Sequence, residues 1–233
     1  MVSILIPSHN EFHNLKRLFD RVDFLEDKEV EVIVATSPEN TDHTQSLAKD
    51  RNITVLSCKK KGRAAQMNEA AHRAVGDTFV FLHADVIPPK GFISDIKRSL
   101  KSGYTAGFFS YKFDSDRWLL QINAAFTAKD GIFTGGGDQC LFIKKDVFTV
   151  LGGFDEKQVL MEDFEFFRRM KKNKVPYTIV KNDLVVSARK YECNSYLRIN
   201  LSNLVLVLLF KLGYPGEKLK ALHQKLIRTP YNG

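Results

Sequence analysis

Long hydrophobic runs are scarce in this chain. The longest strong one, residues 204–210, falls far short of the roughly 18 residues that cross a bilayer. The opening Met1-Val2-Ser3-Ile4 carries no basic stretch, and its apolar segment is too short for a signal peptide. Cysteine is nearly absent too. Cys58, Cys140 and Cys193 lie far apart with no CxxC spacing, which excludes a disulfide framework and the common zinc sites. A reducing cytoplasm is therefore the expected compartment. Repeats and low-complexity segments are missing as well, so neither a solenoid nor a disordered tail is indicated.

What is present is a core. The 233 residues are 44% hydrophobic, enough for one large domain, or for one domain with an appendage. Acids are outnumbered, 27 against 35 Lys and Arg, for a formal charge of +8. Most of that excess sits late: residues 189–233 hold eight Lys or Arg and two acids, a net of +6. Such asymmetry points to an anionic partner.

Strand and helix patterns alternate at intervals of about 25 residues, which predicts parallel βαβ units. Apolar runs at 2–7, 30–36, 53–58 and 78–85 read as buried strands. Between them, helices are predicted from Phe12, with Ser8 as N-cap and Glu11 three residues on, from about Thr44, and after the basic loop Lys59-Lys60-Lys61-Gly62-Arg63. Beyond Pro89 the pattern loosens. Helices are expected at 91–100 and 118–129, strands at 105–113, 140–143 and 177–188, and a helix opening at Met161-Glu162-Asp163. From Ser195 on, two helices are expected, broken at Gly213-Tyr214-Pro215-Gly216.

Right-handed crossovers bring the loops after parallel strands to one edge of the sheet. Residues 8–11, 37–42, 59–63 and 83–85 all follow strand ends and should converge on one cleft, where open α/β sheets bind ligands. Asp85 ends the run Phe79-Val80-Phe81-Leu82-His83-Ala84 just before Val86-Ile87-Pro88-Pro89. A carboxylate there suits a hard divalent cation carrying phosphate oxygens; an aspartate capping a turn is the other reading.

In order and spacing, these fragments resemble the family 2 glycosyltransferases with the GT-A fold. The resemblance rests on Ile6-Pro7-Ser8-His9-Asn10-Glu11, Thr41-Asp42, His83-Ala84-Asp85, Gly152-Gly153-Phe154 and Glu162-Asp163. Gly62-Arg63-Ala64-x-Gln66-Met67-Asn68, Leu82-His83-Ala84-Asp85, Gly137-Asp138-Gln139 and Ser187-Ala188-Arg189 resemble a narrower bacterial subgroup of small members. It implies an α/β fold with a mostly parallel, Rossmann-like central sheet, flanking helices and a C-terminal helical tail. A catalytic domain is expected over 1–190, with nucleotide binding in about 1–90 and acceptor binding in about 91–190, and a basic apolar tail over 191–233.

The resemblance implies an inverting sugar transfer from a nucleoside-diphosphate sugar to an acceptor hydroxyl. Asp163 matches the acceptor-activating base, with Glu162 adjacent and able to share the role. Donor binding is expected at Pro7, His9, Glu11, Ser37, Arg63, Gln66, His83, Ala84 and Asp85, with Ser37 standing where the family usually has an aspartate. Acceptor binding is expected at Gly137, Asp138 and Gln139. Asp85 matches the D-x-D metal ligand and His83 takes the first acidic position, so Mn²⁺ or Mg²⁺ is the expected cofactor at this pair. Arg63 suits a diphosphate or a nucleobase, and Arg189 a diphosphate, by their guanidinium forks; a solvated basic loop and a surface ion pair are the other readings.

Residues 196–212 are apolar on every side and bordered by Lys211, Lys218, Lys220, Lys225 and Arg228. That fits either an interfacial segment on anionic lipid with a lipid-linked acceptor, or packing against the catalytic domain or a homodimer partner. Location is expected in the cytoplasm or on the inner membrane face, with no nucleic-acid partner. Two rivals stand beside this reading: a sugar nucleotidyltransferase, disfavoured because no glycine-rich loop follows the first strand, and a non-catalytic module docking to nucleotide or membrane.

Overall fold

The computed structural model describes residues 1–50, 53–131 and 133–228. In chain order it runs β1 (Val2–Ser8), α1 (Phe12–Phe19), β2 (Val30–Thr36), α2 (Leu47–Asp50), β3 (Ile53–Ser57), α3 (Arg63–Arg73) and β4 (Thr78–Phe81). Then follow β5 (Val86–Ile87), α4 (Phe92–Lys101), β6 (Ala106–Phe113), α5 (Trp118–Thr127), β7 (Leu141–Lys144) and α6 (Lys145–Val150). The chain closes with α7 (Glu162–Lys172), β8 (Tyr177–Val186), α8 (Tyr196–Lys211) and α9 (Gly216–Leu226).

The strands form one sheet in the order β3-β2-β1-β4-β7-β6-β8-β5. Its first half is parallel, as the βαβ spacing predicts. The second half is mixed: β7 runs antiparallel to both β4 and β6, β8 runs parallel to β6, and β5 runs antiparallel to β8. The predicted strand over 78–85 stops its ladder at Phe81; β5 then pairs with β8 instead, so residues 82–85 bend away from the sheet. The carboxylate at the end of that bend, Asp85, is 23% exposed and paired with Arg189.

Side chains alternate across the sheet, and each face has its own core. Ile4, Ile6, Val80 and Leu82 pack with Leu15 and Leu18 of α1 and Phe92 and Ile96 of α4. Leu5, Ile33, Phe79 and Phe81 pack with α3, α6 and α7. On that second face the alanines of α3 let its backbone approach the strands, while Phe81, Phe148, Phe154 and Phe166 meet ring to ring at 4.8–5.6 Å. Each fully buried aromatic or branched side chain contributes roughly 1.5–3 kcal/mol, so this cluster anchors the α7 start that carries Glu162 and Asp163. Gly107 lies where β6 passes Phe142; a Cβ there would come within 2.3 Å of the ring.

One local expectation differs. Ser8 belongs to β1 rather than capping α1, whose N-cap is Glu11 with no capping bond of its own. Instead Asp42, from the loop after β2, accepts from the Phe12 amide at 2.7 Å. A cap supplied across 30 residues leaves no local spacing to find. The C-terminal break falls as predicted, and α8 and α9 pack on the body: Ile199 joins the first core, and Leu206, Phe210 and Leu219 meet Leu160 and Phe164. No helix among the described residues is long and apolar enough to cross a membrane.

Candidate active site

The predicted loops meet only in part. The loops after β1 and β2 join each other, Asn10 N donating to Asn40 Oδ1 at 2.7 Å. Arg63 and His83 line a cavity of about 670 Å³ together with Asp138, Asp163, Lys190 and His223 among others, whereas residues 8–11, 37–42 and Asp85 do not line it. Asp163 reaches it because α7 begins there. Met161, the N-cap, holds φ at +67°, a left-handed conformation that is unfavourable by roughly 1–2 kcal/mol for a non-glycine residue. Glu162 and Asp163 follow in the first turn, where the helix dipole favours negative charge.

The two acids are held differently. Glu162 is 2% exposed and accepts from Arg63 Nε; Arg63 Nη2 lies 3.8 Å from Asp163 Oδ2. Burial opposes ionisation of Glu162, but the Arg63 charge and hydrogen bond hold its carboxyl below the usual range. Asp163 meets the same burial with the Glu162 charge beside it, and Arg63 and His83 offset this only in part, so its carboxyl is pushed up to about 6. One carboxylate is locked and the other is poised near neutral pH.

Opposite them stands His83. Its Nδ1 lies 3.6 Å from Asp138 Oδ1 and its Nε2 lies 3.5 Å from Arg63 Nη1. Desolvation opposes ionisation of Asp138, whose side chain is 40% exposed, yet Lys190 and His83 hold its carboxyl below the usual range. Gly137 closes the group: a Cβ there would sit 2.3 Å from His83 Cε1 and 2.6 Å from Asp163 Oδ2. The backbone passes so close to both that only glycine fits.

Asp85 sits apart from this cluster, with Arg189 Nη2 donating to its Oδ2 at 3.2 Å. Glu11 is near enough that burial, together with the Asp85 charge, raises its carboxyl despite a hydrogen bond from Asn14. Among the described residues no three His, Cys, Asp or Glu form a ready cation cage. The donor set still fits a hard cation bound through one carboxylate, with phosphate oxygens and water completing its shell. His83 was expected to share that role. Its Nδ1 and Nε2 face Asp138 and Arg63.

Several motif residues carry structural tasks. Gln66, 5% exposed, donates from Nε2 to the carbonyls of Ser8 at 2.7 Å and Ala35 at 2.9 Å, pinning the ends of β1 and β2 together. Asn68 clasps Phe154, accepting from its amide and donating to its carbonyl at 2.9 Å each. Gly153, at φ +69°, leaves room for that clasp, since a Cβ would lie 2.8 Å from Asn68 Oδ1. Gln139 braces its own loop, accepting from Gly135 N and donating to Thr127 O. Arg63, expected on the diphosphate, is tied to Glu162. Ser37 accepts from the Glu39 amide at 3.4 Å within its turn. Pro7 and Ala84 are buried, and His9 is exposed.

The cavity wall also includes Lys190, from the turn Arg189–Tyr191, and His223 of α9, neither singled out in the sequence. Lys190 adjoins Arg189, a signal that was there to use. His223 lies on a helix predicted as tail, with nothing local to mark it.

A dolichol-phosphate mannosyltransferase of Pyrococcus furiosus is 33% identical over 107 residues, which is 44% of this chain and 30% of that protein. The chain thus spans under a third of that relative's length. Among solved structures, Staphylococcus aureus TarS 1-349 with UDP-GlcNAc superposes with a TM-score of 0.68 at 14% identity, covering 98% of this chain and 74% of that one. The mannosyltransferase PcManGT of Pyrobaculum calidifontis, with GDP-Man and Mn²⁺, gives 0.64 at 18% identity over 97% and 68%. Glucosyl-3-phosphoglycerate synthase of Mycobacterium tuberculosis, with Mn²⁺, UDP and phosphoglyceric acid, gives 0.60 at 17% over 92% and 79%. These likenesses establish the shared glycosyltransferase fold. The family model for Glycosyl transferase family 2 matches residues 3–154, and the chain belongs to that family.

Proposed function

We propose that this protein is an inverting glycosyltransferase that moves a sugar from a nucleoside-diphosphate sugar to an acceptor hydroxyl on a lipid-linked or membrane-proximal molecule. The observation that carries the reading is Asp163, which lines the cavity with its carboxyl pushed up to about 6. Neighbouring folds that hold UDP or GDP sugars support the donor class.

In this scheme Asp163 accepts the acceptor's hydroxyl proton. The acceptor oxygen forms a bond to the anomeric carbon as the bond from that carbon to the diphosphate oxygen breaks, and the nucleoside diphosphate leaves with the electron pair. Attack from the base's side, opposite the leaving group, inverts the anomeric configuration. Asp85 would hold a Mn²⁺ or Mg²⁺ ion, which would supply positive charge to the diphosphate. Arg189 is positioned to do the same from the protein. Gly137 keeps the floor between His83 and Asp163 low enough for a reacting group to enter. Arg63 holds Glu162 ionised, and that charge keeps Asp163 basic enough to act.

Two expectations follow. Asp85→Ala should weaken nucleoside diphosphate binding about 10- to 100-fold in Mn²⁺ or Mg²⁺, the equivalent of one lost charge-assisted contact, and leave binding in chelator unchanged. Titrations with and without metal check this; equal loss in both removes Asp85 from metal binding. The base must be ionised to work, so transfer per unit enzyme (kcat/KM) should climb with pH through about 6 and level off above it. A profile flat from pH 5 to 8 rules out Asp163 as the titrating base.

A further inference from the structure

Helix α8 is apolar on both sides, and only one side is covered. Ile199, Leu206, Val207 and Phe210 are buried on the body. Leu197, Leu201, Leu204, Leu208 and Leu212 follow at helical spacing on the other side and are exposed, Leu197 to 76% and Leu212 to 80%. A helix hydrophobic all round calls for apolar surroundings all round. Helix α5 lies beside it, joined by Asn123 Nδ2 to Asn200 Oδ1 at 2.8 Å and by Tyr196 Oη to Asn123 Oδ1 at 2.7 Å. It too exposes Trp118, Ile122 and Phe126. Together with Phe133 and Tyr214, these two helices hold ten of the fifteen exposed large hydrophobic side chains among the described residues. Single exposed apolar residues are ordinary, whereas a contiguous set marks a contact surface.

The charges indicate what it contacts. No acid occurs from Arg117 to Lys129 or from residue 194 to 216, while Arg117, Lys129, Arg198 and Lys211 are exposed along the two helices. The acids just outside are Asp116, Asp130, Glu192 and Glu217, and Asp130 is engaged by Lys171 and Tyr177. A second copy meeting this face across a two-fold axis would bring cations against cations. An anionic bilayer offsets them and takes the leucines, with Trp118 and Tyr214 suited to its interface. The cavity opens between the same helices, since Asn123, Phe126, Asn200, Asn203 and Leu206 line it.

We infer that the α5–α8 face docks on an anionic lipid surface and presents the cavity mouth to it. The inference rests on the proposed membrane-proximal acceptor and names the surface that would meet it.

Trp118 is the only tryptophan, so its emission reports this face alone. The full chain is sedimented with vesicles of phosphatidylcholine plus phosphatidylglycerol and of phosphatidylcholine alone. Binding to the anionic vesicles only, with a blue shift of Trp118, is expected. Leu201→Asp with Leu208→Asp should lower that binding by at least about tenfold, whereas Val150→Asp, an exposed apolar site on α6, should change it less than about twofold. Failure to bind, equal binding to both vesicle types, an unshifted Trp118, or full binding by the double variant each overturns the inference. So does a lipid-free dimer that buries Trp118, which would assign the face to a second copy. A nucleoside diphosphate thermal-shift assay is run alongside. Vesicle binding without nucleotide binding keeps the docking face and sinks the transferase reading; the reverse result sinks the face alone.

Discussion

Asp163→Asn is expected to reduce kcat for transfer by about 10²- to 10⁴-fold, the range supplied by a positioned base, while nucleoside diphosphate affinity stays within about twofold. It should also stabilise the fold. Asp163 is 13% exposed and sits beside ionised Glu162. An acid whose folded pKa is raised loses stability as pH climbs above its unfolded value, and most of that loss is present by pH 7 to 8. Removing the charge relieves the strain, for a gain of about 1–3 kcal/mol. Turnover, nucleotide titration and melting at pH 7.5 check the three parts. A dead enzyme that melts lower would point to misfolding, and unchanged turnover would remove Asp163 from the mechanism.

Arg63→Ala is expected to lower unfolding free energy by about 2–4 kcal/mol. Breaking a buried pair typically costs about 3–5 kcal/mol because the remaining charge is stranded, and Glu162 is 2% exposed. The figure is discounted because Arg63 itself keeps 41% of its side chain exposed. Adding Glu162→Gln should recover most of the loss, since no stranded charge remains. Urea denaturation of wild type, single and double variants measures this coupling. In the single variant the acid limb of the pH profile should move above 6, because a cation that favours ionised Asp163 is gone. Loss of nucleotide affinity with stability intact would return Arg63 to the diphosphate.

Arg63 also shows where sequence reading reached its limit. The residues of the cluster were named from spacing and resemblance: Arg63, His83, Asp138, Glu162 and Asp163. Their partners were not. A guanidinium after three lysines suits a diphosphate by composition, and nothing within ten residues of it reveals Glu162, 99 positions away. Gln66, Asn68 and Gln139 likewise have partners that no local spacing reveals. Polar side chains within a motif look available for a ligand, yet each is committed to backbone groups brought near only by folding. Ser8 failed as a cap because Asp42 caps that helix from another loop.

By itself the sequence determined the parallel β1-β2-β3-β4 half of the sheet, the breaks between elements, the strand-end position of Asp85, the helix start at Glu162 and the lack of a spanning helix. These follow from local hydrophobic period, turn chemistry and residue type, which are written along the chain. The tertiary structure decided that the second half of the sheet is mixed and that His83 faces Asp138 and Arg63. It decided too that Asp163 and not Glu162 is left poised, that Lys190 and His223 wall the cavity, and which side of α8 stays uncovered. Each of these depends on electrostatics and burial between residues tens of positions apart, and such interactions exist only once the chain has closed on itself.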